Sequence, residues 1–260
     1  MFKRVLTLFL CLFFPTRWIA GILNSLGHNV HKDSKLGFNF LWINDKLSLE
    51  KGAILGKFNL IRVDSIFLKS NANIGNLNRL NGPIKFYLDE SSGIGNYNSI
   101  SRSSTKGVTY STSYLKIGKY SKITTKHQID CTRSIYIDEY SILAGSHTQL
   151  WTHGFMHATE GIERIRIDGE IVIGNNVYIG SRCTFQPGVF VSSGITIGAN
   201  SCVSKSLLKK GMYVSQPLRY IDTDLSSVRQ KLNKVEGFET LNEVYEKTLP
   251  PEATEFRKDL

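Results

Sequence analysis

Three histidines crowd the stretch SHTQLWTHGFMH: His147, His153 and His157. Imidazole is the side chain whose ordinary pKa lies nearest neutrality, so a positioned one can take a proton from a hydroxyl or an amine. Three imidazoles could also hold a zinc ion with one open coordination position. A second group lies further on. Residues 203–220 carry Lys205, Lys209, Lys210 and Arg219 with no Asp or Glu, a composition suited to phosphate groups or simply to a solvated surface. The cysteines Cys11, Cys131, Cys183 and Cys202 stand far apart without a CxxC pair. That spacing supports neither a zinc ribbon nor a thioredoxin-like motif, and four thiols make no disulfide scaffold. They read as buried cysteines in a reducing, cytoplasmic compartment.

The elements that must hold these groups follow from a repeat. From Ile167 an apolar residue recurs every sixth position: Ile167, Ile173, Ile179, Phe185, Val191, Ile197 and Val203. A second series, Val177, Cys183, Val189, Ile195 and Ser201, lies between them. Counting back, Ile137 and Leu143 fit while Gln149 and Gly161 do not; Ile117, Ile123 and Ile129 keep the spacing in another register. Ile54, Leu60, Ile66 and Ala72 continue it towards the amino terminus. Six matches neither the helical period nor the strand period of two. Short strand, corner, short strand satisfies it, and three such faces close an 18-residue triangular coil. Stacked coils then pair through parallel ladders and need caps at their ends. Corners favour Gly, Asn or Asp, as in Gly174-Asn175-Asn176 and Gly198-Ala199-Asn200. Residues 77–92 and 101–114 read as irregular coils or insertions.

The ends differ from this array. Residues 5–14, VLTLFLCLFF, follow Lys3 and Arg4 and precede Pro15. Ten apolar residues are too few to cross a bilayer. With Arg17, Lys32 and Lys35 nearby and Asp33 as the sole acid before Asp45, residues 1–25 fit either a helix lying at an anionic membrane face or one packed on protein. After the array, Leu225, Val228, Leu232 and Val235 keep helical spacing behind Asp224 as N-cap. Phe238, Leu241, Val244 and Tyr245 suggest a second short helix. The expected organisation is a hydrophobic, basic helical segment over 1–35, a repeat domain over 36–221 and a helical segment over 222–260.

The segment IVIGNNVYIGSRCTFQPGVFVSSGITIGANSCVSKSLLKKGMYVSQPLRYI, residues 171–221, resembles the hexapeptide-repeat acyltransferase family, in its branch that O-acetylates surface polysaccharides. The resemblance implies a mainly β, left-handed parallel β-helix solenoid, a homotrimer, and acetyl-CoA as acyl donor. It places His153 as the catalytic base, with His147, Trp151 and His157 towards the acceptor. It places Gly180, Gly198, Ala199, Ser204, Lys205 and Arg219 along the donor. Ser215-Gln216-Pro217-Leu218 departs from the family's usual Gly-Asn-Pro-Ala turn. A carboxylate should orient the base, and Asp138, Glu139 and Glu160 are the candidates read from sequence. The expected reaction is O-acetylation of a sugar hydroxyl; N-acetylation of a nucleotide-linked amino sugar and a zinc-dependent, carbonic-anhydrase-like hydration are the alternatives. The net charge of +10 and pI near 9.4 then divide between the amino terminus and the donor's phosphates. No nucleic-acid motif is present and no metal is expected.

Overall fold

Apolar side chains surround the first helix, α1 (Phe2–Phe13), on all sides. Pro15, which has no amide hydrogen, ends it and opens α2 (Thr16–Ser25). These elements belong to a computed structural model that describes residues 2–105, 108–215, 225–237 and 243–253. The two helices close one end of a long prism. Leu10, Cys11, Ile19, Ala20 and Leu23 bury against the first coil's Leu36, Leu41, Leu47 and Leu49. His28 locks the joint. Its Nδ1 accepts the Leu47 amide at 3.1 Å and its Nε2 meets the Thr7 hydroxyl at 3.0 Å.

The prism is the parallel β-helix solenoid that the period predicts. One wall is a nine-stranded parallel sheet running from Lys35–Leu36 to Gly211–Tyr213. The other two walls are joined because Phe40–Leu49 and Leu60–Leu68 bend from one into the next. Like residues stack along each wall. On the first face the inward column is Leu36, Leu55, Ile74, Ile94, Ile123, Leu143, Ile179 and Ile197. On the second it is Leu41, Ile61, Leu80, Ile100, Ile129, Leu150, Phe185 and Val203. On the third it is Leu49, Leu68, Leu88, Ile117, Ile137, Ile173 and Val191.

These columns explain the broken period. Between the first and second faces the inward residues lie five to seven apart, and between the third and first they lie six apart. Between the second and third faces the gap runs 8, 7, 8, 17, 8, 23 and 6 residues. Every large irregularity is confined to that one corner, here the second corner. Of the two readings of residues 77–92 the irregular coil holds rather than the insertion; they include the wall strands Arg79–Asn81 and Ile84–Leu88. The insertion expected at 101–114 is real. Two register expectations also change. Ile54 and Leu60 point outward, one residue off the buried Leu55 and Ile61, because a one-residue slip exchanges the faces of a strand. Ile167 belongs to a hairpin strand, Arg164–Asp168, outside the columns.

The other two corners are tight turns, most of them built on a left-handed residue. At the first corner these are Phe58, Leu77, Tyr97, Lys126, His147, Arg182 and Asn200; at the third they include Asn71, Ser91, Tyr120, Tyr140 and Asn176. The left-handed residue is mostly not glycine. Glycine serves close approach instead: a Cβ on Gly56 would lie 2.4 Å from the Gly75 carbonyl oxygen of the next coil.

A buried polar ladder climbs the first corner. The side-chain oxygen of Asn39 accepts the Asn59 amide, Asn59 accepts that of Asn78, and Asn78 that of Asn98, each at 2.8 Å. Asn98 accepts the His127 amide at 2.9 Å. His127 Nδ1 accepts Thr148 and the Thr148 hydroxyl accepts Cys183, both at 3.1 Å. Each rung satisfies a donor that the turn would otherwise strand inside the protein.

Beyond the prism the carboxy-terminal segment doubles back. Of the helix expected over Leu225 to Val235 only α3 (Leu225–Arg229) forms; Leu232 and Val235 flank the strand Asn233–Lys234 instead, and Asp224 lies outside the described residues. The second helix is not formed: Val244 and Tyr245 sit in a strand, Glu243–Glu246. Phe238 and Leu241 lie outside the described residues. That strand adds to Arg164–Asp168 in parallel and to Asn233–Lys234 in antiparallel fashion. Edge pairing and burial of Tyr245 against Ile165 outweigh a weak helical spacing.

Candidate active site at the second corner

The 23-residue gap at the second corner is a hairpin, His153–His157 paired antiparallel with Arg164–Asp168. His153 is its first residue, directly after the wall strand Gln149–Leu150. One coil earlier the eight-residue gap from Ile129 to Ile137 carries Asp130, Thr132 and Arg133. Asp130 ends the wall strand Gln128–Asp130, in register with Ser99–Ser101, and so reaches the corner one coil below the histidine. His153 Nδ1 meets Asp130 Oδ2 at 2.9 Å and the Thr132 hydroxyl at 3.2 Å. The Thr152 hydroxyl donates to the same carboxylate oxygen at 2.6 Å, and Thr132 donates to Oδ1 at 2.9 Å.

This geometry sets the proton positions. With Nδ1–H held by the carboxylate, Nε2 is the nitrogen left to accept a proton. The Asp130 hydrogen bond raises the imidazole pKa; partial burial opposes it, and the charges of Asp130 and Asp168 add to the rise. Burial pushes the Asp130 carboxyl up, but its hydrogen bonds from His153, Thr152 and Thr132 outweigh that, and the net direction is down. The pair is thus a base braced by an ionised carboxylate. The rings of Trp151 and Phe155 stand edge-on to the imidazole at 6.5 and 6.1 Å. The Trp151 indole N–H donates to Gln149 at 2.9 Å.

An ionic network, buried at Arg166–Asp168 and opening to solvent at Arg229, fixes the hairpin. Arg166 grips Asp168 with two bonds, 3.0 and 2.9 Å. Arg133 bonds Glu246 of the carboxy-terminal strand and Ser111 of the 101–114 insertion, and its guanidinium lies 5.1 Å from the Tyr110 ring. Arg229 of α3 pairs with Glu163 and Glu243. Both insertions and the carboxy-terminal segment therefore converge on the corner that holds His153.

The other expected residues fall in three groups. Trp151 shares the site with His153. Ser204 and Lys205 follow the wall strand two coils further on at the same corner, through the register Leu150, Phe185, Val203. His147, Gly180, Gly198 and Ala199 lie at the first corner, across the second face. His147 is an exposed, left-handed turn residue bonded to the Ser146 hydroxyl at 2.8 Å, so the structure does not bring it to His153. His157 is exposed further along the hairpin, opposite Arg164. Arg219 lies outside the described residues. Among the described residues no three His, Cys, Asp or Glu side chains cluster to hold a metal. The orienting carboxylate was not among Asp138, Glu139 and Glu160. Asp138 and Glu139 belong to the third corner, beside Asn175. Asp130 follows the inward Ile129 by one place, and only the stacking of coils 21 to 23 residues apart reveals its partner.

No known family profile matches the chain. Curated relatives match part of the chain. A Lysinibacillus sphaericus protein named "Probable macrolide acetyltransferase" is 40% identical over 68 residues, 26% of this chain and 38% of that protein. A provisionally named acetyltransferase of Staphylococcus aureus strain MRSA252 is 35% identical over 101 residues, 38% of this chain and 46% of that protein. The chain thus spans less than half the length of these relatives. They bear out the resemblance to hexapeptide-repeat acetyltransferases. Among solved structures, the polysialic acid O-acetyltransferase OatWY aligns with a TM-score of 0.45 at 16% identity, covering 77% of this chain and 91% of that one. The polySia-specific acetyltransferase NeuO aligns with a TM-score of 0.43 at 19% identity, covering 78% and 97%. At TM-scores below 0.5 neither likeness bears on the site.

Proposed function

We propose that this protein is an acetyltransferase that moves acetyl from acetyl-CoA to a sugar hydroxyl of a surface polysaccharide or its precursor. The observation that carries the reading is the His153–Asp130 pair, a braced imidazole with Nε2 free, set between two insertions that can enclose an acceptor. In the reaction Nε2 takes the hydroxyl proton as the oxygen attacks the thioester carbonyl. The carbon–sulfur bond breaks, and the imidazolium returns the proton to the departing thiolate. Asp130 holds the ring and stabilises its charged form. Gly180, Gly198 and Ala199 on one side and Ser204 and Lys205 on the other are assigned to the donor, as is Arg219 from its place in the sequence; the donor would lie along the coils between neighbouring prisms of a homotrimer. Lys205 and Arg219 would meet its phosphates. Trp151 and His157 are assigned to the acceptor; His147, at the opposite corner of the same wall, fits the donor side better.

Thiol release from acetyl-CoA, measured with panels of hydroxyl and amino sugars, tests the reading. Turnover should require a hydroxyl sugar, and His153→Ala should lower it by about 100- to 10,000-fold without changing the fold by circular dichroism. Turnover with amino sugars alone would move the assignment to N-acetylation. Full activity of His153→Ala would sink the mechanism.

A further inference from the structure

The helices α1 and α2 close the prism, yet they are apolar on the side that faces away from it. Thr7, Leu10 and Cys11 point into the protein; Phe2, Val5, Phe9 and Phe13 point out, with Phe2 78% and Phe9 52% exposed. On α2, Ile19, Ala20 and Leu23 are buried while Trp18 (62% exposed) and Ile22 point out. The outward residues recur at helical spacing on both helices, so they form a ledge rather than scattered exposures. Phe9 packs its ring on Phe13 and Phe14, which keeps the ledge continuous. Phe38, Phe40, Phe58 and Leu60 extend apolar surface down the prism beside it. Basic side chains lie beside the ledge: Arg17, Lys32 and Lys35 are exposed, while Lys3 and Arg4 are half-buried and reach back to the Asp45 and Asn44 carbonyls. The Arg17 guanidinium lies 5.6 Å from the Trp18 ring.

No helix among the described residues is long and apolar enough to cross a membrane. A 12-residue helix is about 18 Å long, well short of the roughly 30 Å hydrocarbon core. An apolar, aromatic ledge with a cationic rim has the composition of a surface that sinks part-way into an anionic bilayer. We infer that the outward face of α1 and α2 seats the prism, end-on, on an anionic membrane surface. The polarity of the fold then gives the active site a height. Five ladder steps separate the coil of Leu36 from that of Leu143, which carries His153. At about 4.8 Å per step the catalytic corner stands about 24 Å above the first coil. Resting on the proposed function, this selects an acceptor anchored in the lipid whose reactive hydroxyl lies several sugar units out along the chain.

Sedimentation with vesicles tests the seat. Vesicles of phosphatidylcholine with roughly 30% phosphatidylglycerol, an anionic fraction that attracts basic segments, should carry down the wild-type protein; pure phosphatidylcholine should carry down much less. The double variant Phe9→Glu/Trp18→Glu should partition about tenfold less. His153→Ala should partition like the wild type, so loss of catalysis and loss of seating are read separately. Should the double variant not fold, a chain keeping only Trp18 (Trp42→Phe/Trp151→Phe) should be quenched by brominated lipids. A chain keeping only Trp151 (Trp18→Phe/Trp42→Phe) should not be. Absence of wild-type sedimentation, equal partition of the double variant, or quenching of Trp151 alone overturns the proposal. So does lipid-free self-association abolished by the same double substitution, which would make the ledge a contact between copies.

Discussion

The coils before residue 101 and those after residue 113 share one hydrophobic interior but use their second corner differently. In the early coils that corner spends seven or eight residues between inward positions and carries the chain smoothly round. In the later coils it spends 17, 8 and 23 before contracting to six. The first and third corners barely change from end to end. The difference teaches where chemistry can be placed on a solenoid. The first and third corners keep the ladders in register, and the second is free to bulge without disturbing the stack. His153, Asp130, Thr132 and Arg133 all come from that permissive second corner. The early coils act as a pedestal and the later ones as the platform.

The largest test of this division strikes the platform. Asp130→Asn keeps the shape of the side chain but removes the charge that braces the imidazole. Turnover should fall about 100-fold, equivalent to roughly 2.7 kcal/mol of transition-state stabilisation. The pH profile supplies the sign. The base works when neutral, so activity falls as pH drops through the His153 pKa. With Asp130 present that pKa is raised above its ordinary value, and in Asp130→Asn the acid limb should move to lower pH. A pH series of kcat/KM reads both effects. An unmoved limb would show that the carboxylate does not act through the ring.

The pedestal has its own weak point in the asparagine ladder. Asn78→Ala would leave the Asn98 amide and the Gly95 carbonyl without their partners. Each stranded buried group costs about 1–3 kcal/mol, so the loss should be roughly 3 kcal/mol. Denaturant unfolding should show it, while turnover per folded molecule stays unchanged. A matching loss of turnover would mean that the pedestal is coupled to the site.

This contrast also explains what could be read from the sequence. The interior was legible because inward residues repeat, and the four hexads from Ile179 to Val203 keep the period without error. It blurred earlier because each coil of the pedestal adds one or two residues at the second corner, which shifts the register seen by simple counting. His153 was legible as a histidine where the period lapses. Asp130 was not, because its contact with His153 joins consecutive coils and no local spacing marks it. The strand Glu243–Glu246 was hidden for the same reason: its partner, Arg164–Asp168, lies some 78 residues earlier.

The finest test sits where pedestal meets platform. His127 occupies the ladder rung that Asn39, Asn59, Asn78 and Asn98 fill below it. It is buried, and burial pushes its pKa down to about 4; His28 under the helical cap is pushed to about 4 as well. Both must stay neutral in the folded chain, while the unfolded chain protonates them near pH 6.5. Between those values the unfolded state binds more protons, so stability is whole above about pH 6.5 and drains away as pH falls towards 4. His127→Asn replaces the rung with the residue the pedestal uses and carries no titrating group. Thermal unfolding of this variant should lose about half of the histidine-driven decline between pH 6.5 and 4, with the remainder due to His28. Activity near neutral pH should change little, since the His127 side chain faces the first corner and His153 the second. An unchanged pH slope would show that the rung titrates no differently folded than unfolded. A collapse of activity would erase the distinction between a corner that holds the stack and a corner that does the chemistry.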